Sequence, residues 1–163
     1  MASTFSFDIV SSYDHQELKN AIDQTRREVG QRYDLKDTKT EIEEDPKKLT
    51  ITTDSETSLQ AVRDMMESKL VRRNISLKIL DYGEEEQASG GRVRQVVTLK
   101  EGISEDLAKQ INKRIRDEFK KVNSQIQGDS VRVQAKSKDD LQTVIAAFKE
   151  ADYPVALQFV NFR

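Results

Sequence analysis

The chain of 163 residues contains no cysteine, no tryptophan, one histidine and two prolines. Without cysteine there is no disulfide, no thiolate zinc site and no cysteine nucleophile. With His15 alone, no site can be built on two histidines, and a polar position in the first turn of a helix marks it as an ordinary surface residue. The six glycines stand at 30, 83, 90, 91, 102 and 128, and none follows the strand–turn–helix pattern of a phosphate loop. Carboxylates are abundant, but no pair is marked by opposed environments, as acid–base chemistry would need. An enzyme is not expected, and no cofactor is implied. No apolar run approaches the roughly 20 residues that span a bilayer. Residues 1–6 carry neither a basic segment nor an apolar one, so no secretion signal is expected and the cytoplasm is the expected compartment.

What is present is charge, at 34% of residues, and apolar residues in regular periods rather than scattered. That combination favours a folded chain over a disordered one. Net charge is −2, but it is unevenly spread. Residues 1–83 hold 13 basic and 16 acidic side chains, whereas residues 92–163 hold 14 and 10. An anionic ligand would meet the better field in the second half.

The periods repeat in order. Phe5, Phe7 and Ile9 alternate with polar residues as a strand. Leu18, Ala21, Ile22, Thr25 and Val29 fall at helical spacing between about Asp14 and Arg32. Residues 38–43 and 49–53 flank Asp45-Pro46 as a hairpin. Ser55 can cap a second helix bearing Leu59, Val62, Met66 and Leu70, and residues 76–82 supply a strand with Leu77 and Ile79 on one face. Residues 83–91, acidic and then Ser89-Gly90-Gly91, look like a linker. After it come a strand over 93–99, a helix capped by Ser104, a hairpin around Gly128-Asp129, a helix capped by Ser137, and a last strand from Val155. Leu49, Ile51, Ser55, Leu59, Gln60 and Val62 lie 82 positions before Val131, Val133, Ser137, Leu141, Gln142 and Val144, which points to duplication. The order βαββαβ, twice, predicts an α+β protein of two ferredoxin-like halves, each a four-stranded antiparallel sheet with two helices on one face.

The uncovered sheet faces are where binding chemistry is expected. With Val131, Val133 and Ala135 turned inward, Arg132, Gln134 and Lys136 project outward. Arg94, Val96, Thr98 and Lys100 do the same on the first strand of the second half. Such faces can hold phosphates and base edges, or can simply be solvated. Lys109, Lys113, Arg116 and Lys120 form a basic stripe on the third helix, for which a solvated outer face is the simpler reading. Arg72 and Arg73 complement a helix dipole. Phe5, Phe7, Phe159 and Phe162 serve either as core or as a stacking platform. The third strand of each half lacks the aromatic pair of the usual RNA-recognition motif.

The segments Ser6-Phe7-Asp8-Ile9-Val10-Ser11, Gln125-Ile126-Gln127-Gly128-Asp129, Val131-Arg132-Val133, Asp139-Asp140-Leu141-Gln142 and Gln158-Phe159-Val160-Asn161-Phe162-Arg163 resemble those of the YajQ family of nucleotide-binding proteins. The resemblance runs the whole length. It implies two tandem ferredoxin-like (RNP-like) domains whose first strands are exchanged: one over 12–100, including the strand at 92–100, and one over 101–163 completed by residues 1–11. It implies that the acidic stretch is a hinge-side loop rather than a clean boundary. It further implies a non-catalytic protein that binds a purine nucleotide or cyclic dinucleotide, with cyclic di-GMP a ligand of some members. RNA binding, or docking to a regulatory protein, is the alternative. Arg132 is the first phosphate contact by this resemblance, followed by Lys136 and Arg163; Arg94 and Lys100 complete the set by their outward position. Ser137-Lys138 stands where the family pattern leads one to expect a more basic pair. A monomer is the simplest assembly.

Overall fold

The computed structural model describes residues 4–163. Its elements are β1 (Phe5–Val10), α1 (His15–Gln31), β2 (Glu41–Asp45), β3 (Lys48–Thr53), α2 (Glu56–Arg72), β4 (Leu80–Ala88), β5 (Arg92–Leu99), α3 (Glu105–Glu118), β6 (Val122–Gln127), β7 (Ser130–Ala135), α4 (Lys138–Glu150) and β8 (Gln158–Val160). The strands make two four-stranded sheets, ordered β6-β7-β1-β8 and β2-β3-β5-β4, with every pairing antiparallel. The first strand of each half is thus exchanged: β1 lies in the sheet of the second half, and β5 in that of the first. The architecture is two tandem ferredoxin-like units. One contains the residues up to Ser12 together with Glu101–Arg163; the other is Tyr13–Lys100. We call them the β1 unit and the β5 unit.

Each helix begins where the sequence supplies a cap. The Asp14 carboxylate accepts from the backbone N–H groups of Gln16 and Glu17 at 2.9 and 3.0 Å. Ser55, Ser104 and Ser137 accept from Ser58, Leu107 and Asp139, each at 3.2 Å. Such a cap satisfies an N–H that the helix leaves unpaired, worth about 1 kcal/mol.

The apolar stripes bury as their spacing predicts. In the β5 unit, Ile22, Leu49, Ile51, Leu59, Val62, Met66, Leu70 and Val97 are fully buried in one core. In the β1 unit, Phe7, Ile9, Ile111, Ile115, Val131, Val133 and Val144 are the counterpart. Each such side chain contributes on the order of 1.5–3 kcal/mol of transfer free energy.

Three local expectations are corrected. Leu77–Ile79 is a 3-10 turn rather than the start of a strand, so Leu77 is exposed while Ile79 is buried. The supposed linker is mostly strand: β4 runs on to Ala88 and pairs with β5, Glu86 lying opposite Arg94. Its register shifts between Tyr82 and Glu85, at Gly83, where a Cβ would come within 3.0 Å of the Val96 carbonyl oxygen. Glu84, Glu85 and Glu86 are exposed because β4 is an edge strand, and charge there discourages pairing with another chain. Gly90 and Gly91 then turn the hairpin at φ +75° and +73°. The last strand is three residues long; Val155 and Leu157 precede it and lie half-buried on the core.

The exchange also changes the charge balance. Arg92, Arg94 and Lys100 move into the acidic unit and Asp8 into the other. The β1 unit then holds 11 basic and 11 acidic residues, and the β5 unit 16 and 18. The contrast between halves largely disappears, so any anion preference must come from local geometry. No helix among the described residues is long and apolar enough to cross a membrane.

Candidate nucleotide site

Alternation along β1 turns Phe7 and Ile9 into the core and Asp8 to the uncovered face. Antiparallel register then sets Asp8 opposite Arg132 of β7 and Val160 of β8, and Arg132 opposite Gln125 of β6. Arg132 Nε donates to Asp8 Oδ1 at 3.0 Å, and Asn161 Nδ2 donates to Asp8 Oδ2 at 2.8 Å. Asp8 is only 7% exposed. Burial alone would raise its pKa. The hydrogen bonds from Arg132 and Asn161, with the charges of Arg132 and Arg163, outweigh that and hold the carboxyl below its usual value. Arg132 keeps 26% of its side chain exposed, and its two terminal nitrogens have no hydrogen-bond partner among the described residues. One edge of the guanidinium is held by Asp8 and the rest is presented outward, a pose suited to a phosphate oxygen.

The segment after β8 completes this face. Asn161 adopts φ +57°, and the backbones of Ser6 and Arg163 exchange two hydrogen bonds of 3.1 and 3.0 Å. The left-handed conformation suits asparagine. It lets the chain turn while its amide reaches Asp8.

Two pockets of about 350 Å³ each flank this region. The first is lined by Phe5, Ser6, Lys138, Leu141, Gln142, Phe162 and Arg163. Lys138 Nζ stands 5.1 Å from the centre of the Phe5 ring, and Phe162 is 58% exposed. The second includes Lys121, Asn123, Gln134, Lys136 and Asp140. A pocket of about 380 Å³ in the β5 unit is slightly larger, yet it is lined by Glu41 and Glu43. Its one cation, Arg26, is engaged by the Ile42 carbonyl, Asp23 and Glu44. It is poorly suited to an anion.

The five residues expected to bind do not all meet. Arg132 and Arg163 both act on Asp8. Lys136 follows β7 and is exposed beside the second pocket. Arg94 and Lys100 belong to the other unit, where Arg94 faces outward and is paired with Glu86 at 3.0 Å. On α3, Lys109, Lys113 and Arg116 are exposed, with Lys109 bound to Glu105 at 3.2 Å and Arg116 near Asp117 at 3.8 Å, and Lys120, expected on the same stripe, lies just past the helix and is also exposed: a solvated face. His15 stacks on Tyr13 with ring centres 4.6 Å apart. The phenylalanines divide: Phe7 is core, Phe159 meets it edge-on at 5.9 Å, Phe5 is half-buried, and Phe162 lies 5.8 Å from Phe7 with most of its surface free. Among the described residues no cluster of histidine and carboxylates could hold a metal. Sequence reasoning missed Asp8 and Asn161 as partners of Arg132. Asp8 could have been found, since alternation and strand exchange together place it against Arg132.

Comparison with known proteins agrees with this architecture. Residues 5–163 match the family described as "Nucleotide-binding protein YajQ-like". A protein of Trichormus variabilis is 62% identical over 163 residues, covering all of both chains. A Synechococcus protein is 62% identical and a Nostoc protein 61%, each again over the full length of both chains. All three are named nucleotide-binding proteins. This chain, on that full-length likeness, belongs to the YajQ family.

Proposed function

We propose that this protein binds a purine nucleotide or cyclic dinucleotide without chemically altering it, and acts as a cytoplasmic sensor or effector, as a monomer. The observation that carries the reading is the Asp8–Arg132–Asn161 cluster: a guanidinium fixed on one edge and free on the other, on an uncovered sheet face. Arg163 adds a second positive charge near Asp8. The names of the full-length relatives support nucleotide binding. Cyclic di-GMP is the first cyclic dinucleotide to try.

The test is isothermal titration with GTP, ATP, cyclic di-GMP and a short single-stranded RNA at two salt concentrations. Saturable binding of a purine nucleotide, weakly dependent on salt and reduced at least tenfold by Arg132→Ala, is expected. Binding of RNA alone, collapsing at higher salt, would replace this reading with an RNA-binding one. Unchanged affinity in Arg132→Ala would remove the residue from the site.

A further inference from the structure

We infer that the pocket between β1, α4 and the segment after β8 is a base-recognition subsite that takes one purine ring at a time. The inference rests on the nucleotide-binding reading and deepens it. Phe5, Leu141 and Phe162 make the walls apolar. Lys138, Gln142, Ser6 and Arg163 supply the polar groups. Apolar walls with four polar side chains converging on them, at about 350 Å³, fall in the lower size range of small-molecule sites. That volume suits one base with part of its sugar, not a whole cyclic dinucleotide.

Phe162 is the informative residue. Its ring lies 5.8 Å from the buried Phe7, tilted by 30°, so the side against Phe7 is fixed. Yet it is 58% exposed, one of few large apolar side chains left open. A ring anchored on one side and bare on the other is a stacking platform, because every base has a π-face. Lys138 is already placed over the Phe5 ring. Gln142 is exposed on α4, and its amide can both donate to and accept from a base edge. The pocket shares Ser6 and Arg163 with the segment that joins the Asp8 cluster, so a base held here leaves its phosphate near Arg163. The corresponding helix of the β5 unit carries Glu56 where α4 carries Lys138, 82 positions later. The basic character of this pocket is therefore particular to one unit.

The experiment titrates the full chain and its Phe162→Ala, Phe162→Leu and Lys138→Ala variants with GMP and AMP. Calorimetry is combined with NMR of the Phe162 ring and the Gln142 side-chain amide. Phe162 is exposed, so its variants should fold as the parent does. The inference expects Phe162→Ala to weaken purine binding about tenfold, Phe162→Leu less, and both reporter groups to shift on titration. If the parent binds but both Phe162 variants bind equally well and neither reporter moves, the base sits elsewhere: the inference falls and the nucleotide-binding reading stands. If the parent binds neither GMP nor AMP but binds cyclic di-GMP or GTP in the titration above, the inference falls alone; if it binds none of them, both fall.

Discussion

The two units share strand topology and a serine cap on α2 and α4, yet differ at one row of their uncovered faces. The 82-residue offset places Arg132 where the β5 unit has Thr50. Opposite Arg132 in the neighbouring strand is Asp8; opposite Thr50 is Val96. On the other side, Gln125 corresponds in register to Glu43. The same sheet is thus built once with a hydrogen-bonded charge pair at its centre and once with Thr beside Val. The fold does not need the pair. Withdrawing two charges from water costs several kcal/mol per ion, and an apolar replacement is often neutral or stabilising. The β5 unit is built without such a pair, which fits the proposed role of Arg132 in presenting a guanidinium to a ligand.

The largest expected effect breaks one unit without the other. Phe7→Ala should cost about 3–5 kcal/mol, because it empties a fully buried site in the β1 unit. Amide exchange should report the loss in that unit and spare Leu49, Ile51 and Val97 of the β5 unit. Equal loss of protection in both units would overturn this prediction. Next, Arg132→Ala alone should destabilise by about 2 kcal/mol, since Asp8 stays buried without its charged partner. Thr50→Ala at the matching position should cost well under about 1 kcal/mol on denaturant melts, having no such partner to strand. Ser137→Ala and Ser55→Ala should each cost about 1 kcal/mol, equally in the two units. Smallest is Arg94→Ala, within about 0.5 kcal/mol, because its pair with Glu86 is solvent-exposed.

pH sharpens the same contrast. The folded Asp8 carboxyl is held below its unfolded pKa by its partners. Its stabilising contribution is complete above the unfolded value of about 3.9, and is lost as pH falls through the lower folded value. Melts between neutral pH and pH 2 should show this loss in the parent. A variant with Val at position 8 and Thr at 132 should lack that component.

Much of the fold was legible because local signals agreed. The stripe Leu107, Ile111, Ile115 and the cap Ser104 fix α3 without any tertiary information. The extension of β4 past Tyr82 was not legible, because Glu84–Glu86 has no apolar alternation and its pairing partner, not its own pattern, makes it a strand. Leu77 misled for a related reason: alternation over three residues does not separate a strand from a 3-10 turn. For the site, Arg132 followed from alternation on β7, but Asp8 lies 124 positions earlier. Only the strand exchange joins them. Arg94 and Lys100 were chosen by the same outward-facing rule and fall in the other unit, where Glu86 compensates Arg94. Outward position alone does not distinguish a presented cation from a neutralised one.

The most direct test copies the β5 unit's solution into the β1 unit, as Asp8→Val with Arg132→Thr. Thermal unfolding and nucleotide calorimetry are then read on the same sample. The account predicts a melting temperature close to the parent's and loss of purine nucleotide binding. Unchanged binding would show that the Asp8–Arg132 pair is not the ligand's anchor, and would contradict the account.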